Sequence, residues 1–306
     1  MRKVVRNAPK ALISGLFLAV APVLSSASAA PMIAVLQDVA RDDGGANRTG
    51  LRLGFIAKGD DWVPVCKSDS NVCLFQAPAV SQWQVRANGK EIGKITTQGW
   101  LDPSLVAANG LLRVTTLAPL FQGPRSHVFA GWLDKPVHRP LVALSDPLPS
   151  AMPNWTRARA NAADARLMLP LLARVRPLVP DCSSGEPAKG KGRALTADDI
   201  RVGEVWQSQS GERLLSASLQ PERVKACDYT ADLLADIWAH DDGHAHLAAI
   251  PALSENETTH ALLDAGDFKG TGKEEFLFFL SGYNADGFVL VYDQFRRSAR
   301  FSWSYQ

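Results

Sequence analysis

Short segments in which apolar and polar residues alternate, each closed by a turn signal, recur along most of the chain. This rhythm constrains the fold more than any other feature. Leu51, Leu53 and Phe55 alternate with their neighbours, and Trp83, Val85 and Ala87 do the same just before Asn88-Gly89. Successive side chains of a strand point to opposite faces, so a period of two marks a sheet surface buried on one side. Asn-Gly supplies the two positive-φ positions of a tight hairpin turn, which makes Lys90 to Thr97 the return strand. Further strands are expected at Ile33 to Gln37, Leu111 to Leu117 and His127 to Leu133. The second half adds Val202 to Gln207, Leu214 to Leu219, Leu234 to His240, His244 to Ile250, Thr259 to Leu263, Glu275 to Leu280, Gly287 to Tyr292 and Ala299 to Tyr305. In the last of these Phe301, Trp303 and Tyr305 share one face. Closely spaced short strands read as antiparallel meanders and hairpins, so the expected class is mainly β, a β-rich α+β chain.

The interruptions set the domain plan. Arg41 to Gly50 is a polar, Gly-rich loop, and Pro136, Pro140, Pro147, Pro149 and Pro153 punctuate an extended connection. Proline lacks the amide donor and pushes its predecessor out of the helical region. One central helix is expected over Thr156 to Leu169, capped by Thr156 and ended or kinked by Pro170. Arg157, Arg159, Arg166, Arg174 and Arg176 spread over several of its faces, as on a solvated helix. Ser183 to Arg193 is rich in Gly, Lys and Ser and separates the halves. The plan is a leader at 1–29, an N-terminal β-rich module at 30–150, a helical connection and loop at 151–193, and a partly propeller-like C-terminal β-meander module at 194–306.

The leader has the tripartite form of a secretory signal peptide. Arg2, Lys3, Arg6 and Lys10 precede an apolar run from Ala11 to Leu24, and Ala27-Ser28-Ala29 is a small-x-small site, so cleavage is expected near Ala29 or Ala30. The run is shorter than the roughly 20 apolar residues that span a hydrocarbon core, and Pro22 interrupts it. Its removal turns the formal charge of +2 into −2. No global basicity then argues for nucleic acid or an anionic membrane. Periplasmic or secreted localisation follows, and with it disulfides for the four cysteines. Of the three pairings, Cys66–Cys73 with Cys182–Cys227 is favoured, each pair stapling one half.

Catalytic motifs are missing: no G-x-S-x-G, H-E-x-x-H, P-loop or S-x-x-K stands in the mature region. A triad assembled from distant positions stays open, because triads are defined by geometry. Glu274 and Glu275 fall on opposite strand faces and do not pair with each other; they read as a solvated residue next to a turn-facing one. Ile237 to Leu247 reads IWAHDDGHAHL, where Asp241-Asp242-Gly243 turns a hairpin that sets His240 beside His244. Trp238, His240, His244 and His246 then share one face, and Ile237, Ala239, Ala245 and Leu247 the inward, apolar one. Three imidazoles are ligands for zinc or copper; the plainer reading is the polar outer face of a surface hairpin. Tyr283, Asn284 and Asp286 form a hairpin tip explained by turn chemistry or by contact with a protein or glycan partner.

From Ala265 the chain reads AGDFKGTGKEEFLFFLSGYNADGFVLVYDQF, an apolar strand, a Gly-rich loop, a second strand and a hairpin. This segment resembles the FG-GAP and VCBS type of repeat, whose loop D-x-D-x-D-G-x-x-D/E holds calcium before a strand and which often builds propeller blades. It is also similar to the C-terminal signature of a group of uncharacterised exported bacterial proteins. The resemblance implies Asp267 at the first ligand position, Lys269 at the third, Thr271 at the fifth, Gly272 at the sharp turn and Glu275 at the ninth, with Lys273 inside the loop. Calcium takes several carboxylate or carbonyl oxygens, and Lys269 and Thr271 replace two carboxylates. The degenerate loop is therefore expected to bind calcium poorly, with the Lys269 ammonium pairing with Asp267 or Glu275. These readings favour an exported bacterial envelope protein that acts as a non-catalytic binding or structural module without a cofactor. A hydrolase with a non-contiguous site and a periplasmic metal-binding protein are the alternatives. The expected partner is a protein or glycan of the envelope, with no nucleic acid and no membrane span after leader removal.

Overall fold

The computed structural model describes residues 30–39, 48–65, 81–100, 111–115, 125–126, 129, 136–145, 155–182, 191–225, 227, 237–242, 247–249, 257–282 and 285–304. The expectations for the leader, for Cys66 and Cys73, for His244 and His246, and for Tyr283, Asn284 and Tyr305 lie outside these residues.

The alternating segments form strands, and the described chain is mainly β. In the N-terminal part lie β1 (Met32–Val39), β2 (Arg48–Lys58), β3 (Asp61–Pro64), β4 (Ser81–Ala87), β5 (Lys90–Trp100) and β6 (Leu111–Val114). A small ribbon of β7 (Arg125–Ser126) and β8 (Val137–His138) precedes β9 (Leu141–Ser145). The resulting seven-stranded sheet has the order β1-β9-β4-β5-β6-β2-β3, and β1 also pairs with β2, so the sheet curls back on itself. The β4–β5 hairpin turns at Asn88 (φ 52°) and Gly89 (φ 75°), the two positive values that Asn-Gly supplies.

The middle of the chain builds a five-stranded sheet. It contains β10 (Trp155–Ala158), then, after a ribbon of β11 (Leu178–Pro180) and β12 (Gly192–Ala194), the strands β13 (Ile200–Ser208), β14 (Arg213–Leu219), β15 (Ile237–Asp241) and β16 (Leu247–Ala249), hydrogen-bonded in that order. A four-stranded meander of β17 (Glu257–Gly266), β18 (Glu275–Gly282), β19 (Ala285–Tyr292) and β20 (Arg297–Ser304) follows. Among the described residues the strand pairings within all three sheets are antiparallel.

The central helix is displaced from its expected position. Thr156 pairs with Gln207 as part of β10, and α1 runs over Ala162–Val175. Asn161 caps it: its side chain accepts the Ala163 amide (2.8 Å), and Asp164 accepts the Asn161 amide (2.8 Å). Such a capping box satisfies two of the amides that a helix start leaves open. Pro170 lies inside the helix, on an exposed position. The turn beyond it is held because Met168, Leu171 and Leu172 are buried against Ile200, Val205, Leu215 and Ala217 of the five-stranded sheet. A second, short helix, α2 (Pro221–Val224), leads to Cys227, which bonds Cys182 as expected (Cα–Cα 4.9 Å). Closing a loop of this size restricts the unfolded chain by roughly 4 kcal/mol.

The meander is the middle layer. Leu277 and Phe279 of β18 and Phe288, Leu290 and Tyr292 of β19 pack on the seven-stranded sheet. Their neighbours Phe276, Phe278, Leu280, Val289 and Val291 pack on Trp155, Trp206, Leu214 and Trp238 of the five-stranded sheet. Each strand still alternates, but between two apolar faces, which is why β18 and β19 read as nearly unbroken apolar runs. Residues 194–306, expected as one module, thus divide between an outer and the middle layer. Buried polar contacts fix the first interface: Arg86 of β4 donates to Asp264 of β17 (3.2 Å), whose other oxygen accepts the Gly89 amide (2.5 Å). Arg139 donates to the Leu262 and Leu263 carbonyls (2.8 and 3.1 Å). Among the described residues no helix is long and apolar enough to cross a membrane.

Candidate functional site

The loop between β17 and β18 carries the residues that resemble a calcium repeat. Asp267 is buried, and its oxygens accept the amides of Thr271 (2.8 Å) and Gly272 (2.6 Å). Gly270 (φ 74°) and Gly272 (φ 78°) supply the left-handed backbone that brings those amides round. Glu275 accepts the Phe268 amide (2.5 Å) and the indole N–H of Trp62 in β3 (3.2 Å). Burial, opposed by these two donors, pushes the Glu275 carboxyl up to about 7. Both carboxylates are thus engaged by donors of the protein itself. Lys269 does not pair with either of them. Its ammonium donates to the Gly59 carbonyl (3.3 Å) and lies over the rings of Trp62 (5.2 Å) and Tyr292 (5.7 Å). Those faces offer a cation an attractive quadrupole outside the loop, while Asp267 is already satisfied inside it. Thr271 is exposed, and Lys273 pairs with Asp293 (3.3 Å).

Glu274 turns the other way, toward the five-stranded sheet, and there meets two residues from distant parts of the chain. Glu212 closes the tight turn between β13 and β14; its amide donates to the Ser208 hydroxyl (3.1 Å) and its carbonyl accepts the Ser208 amide (2.9 Å). His240 lies in β15, directly across from Leu214 in β14. One ligand-type atom from each of Glu212, His240 and Glu274 lies within 4.8 Å of the other two. His240 Nε2 is 4.0 Å from Glu212 Oε2, beyond hydrogen-bond reach.

Packing, not hydrogen bonding, orients the imidazole. His240 is 5% exposed, stacks on Phe295 (5.4 Å between centroids, 16° between planes) and contacts the rings of Phe276 (5.3 Å) and Trp155 (6.3 Å). His240 Nε2, Glu274 Oε2 and Trp155 Nε1 all lack a hydrogen-bond partner. Burial first, then the Glu212 carboxyl beside it, pushes the Glu274 carboxyl up to about 8. Burial pulls His240 below the ordinary histidine range, against the opposing pull of Glu212, Asp242 and Asp241. Among the described residues no lysine or arginine is paired with Glu212 or Glu274. Two carboxyls and an imidazole therefore converge inside an aromatic wall with no internal cation. Chemically, such a set can share a proton or receive a cation.

The residues expected from sequence fare differently. His240 faces inward, because both sides of β15 are covered: Trp238 and His240 by the meander and Ile237 and Ala239 by α1 and its neighbours. Asp286 is buried within β19, between Ser281 and Trp303 across the ladder, and is not part of an exposed tip. Glu212 and Glu274 were not expected at a site. The available signal was that each follows a Gly-containing turn and opens an apolar strand, which places both at strand ends. No family model, curated protein or solved structure matches the chain.

Proposed function

We propose that this chain is an exported bacterial envelope protein, periplasmic or secreted, that acts by binding a cationic ligand at Glu212, His240 and Glu274 without a covalent step of its own. The observation that carries this reading is the convergence of buried polar atoms that find no partner within the protein. Buried polar groups are almost always paired, so unpaired ones aimed at a common point mark a place where something else belongs. Export is supported by the form of residues 1–29 and by the Cys182–Cys227 disulfide. A protein or glycan partner at the hairpin tip has less support, since Asp286 is buried there.

The test is a thermal-shift panel of metal ions and small organic ammonium ions on the mature chain. At least one cation raises the midpoint, and Glu212→Gln removes the shift; a flat panel defeats the reading. For export, N-terminal sequencing of the envelope fraction is expected to begin near Ala30, and recovery of the intact leader in the cytosol contradicts it.

A further inference from the structure

Resting on that reading, we infer that the ligand is a single divalent metal ion of the zinc class, held by one atom each from Glu212, His240 and Glu274 and joining the five-stranded sheet to the meander. The donor set selects the class. Imidazole nitrogen suits zinc, copper, iron and nickel, whereas calcium takes six to eight oxygens and magnesium keeps several waters around few carboxylates. The loop that resembles a calcium repeat lies one residue away, and its carboxylates are occupied by the Thr271, Gly272, Phe268 and Trp62 N–H groups. The metal set is a different one, built from the opposite side of the same strand start.

Geometry is compatible with direct ligation. Zinc lies about 2.0–2.2 Å from nitrogen and oxygen ligands, so tetrahedral donors stand roughly 3.4 Å apart. Donors within 4.8 Å of one another, one pair at 4.0 Å, close on such an ion through side-chain movements of under about 1 Å. The second independent observation is His240 itself: 95% removed from solvent by its 5% exposure, with Nε2 unpaired and aimed into the cluster. Trp155 supplies the supporting group. Its ring lies beside the His240 imidazole (6.3 Å between centroids), and its buried Nε1–H, which has no partner, is left to orient a carboxylate ligand of the ion. With three protein ligands and Glu212 at 29% side-chain exposure, a fourth position opens on the Glu212 side and is filled by water.

The ligands come from two layers. Glu212 and His240 belong to the five-stranded sheet, and Glu274 to the start of β18 in the meander. An ion held by all three therefore clamps one layer on the other.

Calorimetric titration of the chelator-stripped mature protein with zinc, calcium, magnesium and methylammonium tests this. Zinc is expected to bind one per chain and at least about 100-fold more tightly than calcium or magnesium. Glu212→Gln and Glu274→Gln each lose more than about 100-fold in zinc affinity, and Trp155→Phe loses roughly 10–100-fold, the range for a group that orients a ligand. Glu222→Gln, on the exposed surface of α2, retains wild-type affinity. The glutamine variants keep side-chain size, and the partly exposed Glu212 keeps the test usable where His240→Gln does not fold. Zinc binding unchanged in both glutamine variants places the ion elsewhere and overturns the inference. Calcium or magnesium binding as tightly overturns the metal class. Methylammonium binding without zinc binding overturns the inference and leaves the cation-binding reading standing; no binding of any cation overturns both.

Discussion

Glu274 and Glu275 are sequence neighbours, both with carboxyls lifted by burial, and they have opposite fates. Glu275 looks toward β3 and finds an indole and an amide donating to it. Glu274 looks toward β14 and β15 and finds a second carboxyl and a neutral imidazole, none of which satisfies it. Strand alternation separates the two side chains, and the middle position of the meander gives each a different sheet to meet. The difference teaches that motif resemblance and ligand readiness need not coincide. The loop that looks like an ion site is closed by its own backbone, and the open set stands beside it without a motif.

Substitutions sharpen this contrast. Glu275→Ala leaves two buried donors without an acceptor and is expected to cost about 3 kcal/mol in urea unfolding of the metal-free protein; a loss below about 1 kcal/mol breaks the claim that Glu275 is a structural staple. Asp199 is a third carboxylate of the satisfied kind, held by Arg193, Arg223 and Thr196. The Arg193 guanidinium, helped by Thr196, holds its carboxyl well below the usual range. Its contribution is therefore present above the unfolded aspartate pKa and is lost as pH falls below it. Asp199→Asn is expected to cost about 2 kcal/mol at pH 7, with the gap to wild type shrinking below about pH 4. A pH-independent gap contradicts this assignment. Asp267→Ala costs less, about 1 kcal/mol, because the exposed Thr271 and Gly272 amides are re-solvated by water. Glu274→Gln in the absence of metal stays within about 0.5 kcal/mol of wild type at pH 7, since a carboxyl pushed up to about 8 is already mostly neutral and its buried oxygen has no hydrogen bond to lose. A larger loss makes Glu274 a staple like its neighbour.

Most of the strand layout was readable from alternation, and the Asn88-Gly89 turn and Cys182–Cys227 pair were as well. Alternation reports that two faces exist; it does not say what covers them. That is why Trp238 and His240 read as an outer face although the meander covers them. The unbroken apolar character of Phe276 to Leu280 carried the needed hint, since a strand buried on both sides has no polar set. The helix start was misplaced because Thr156 resembles a cap while Asn161 and Asp164 form one. The Glu212, His240 and Glu274 set had no spacing to reveal it. Its members meet through the stacking of two sheets, which is a tertiary relation with no local signature.

The middle position of the meander has a consequence for the order of events during synthesis. Both outer sheets present an apolar face that this later segment covers. As the chain emerges, the two earlier sheets stay uncovered and only weakly committed until the meander arrives between them. Such a fold completes late and nearly at once, because its two outer layers share one inner one. It also leaves a window in which a chaperone has two sticky surfaces to shield.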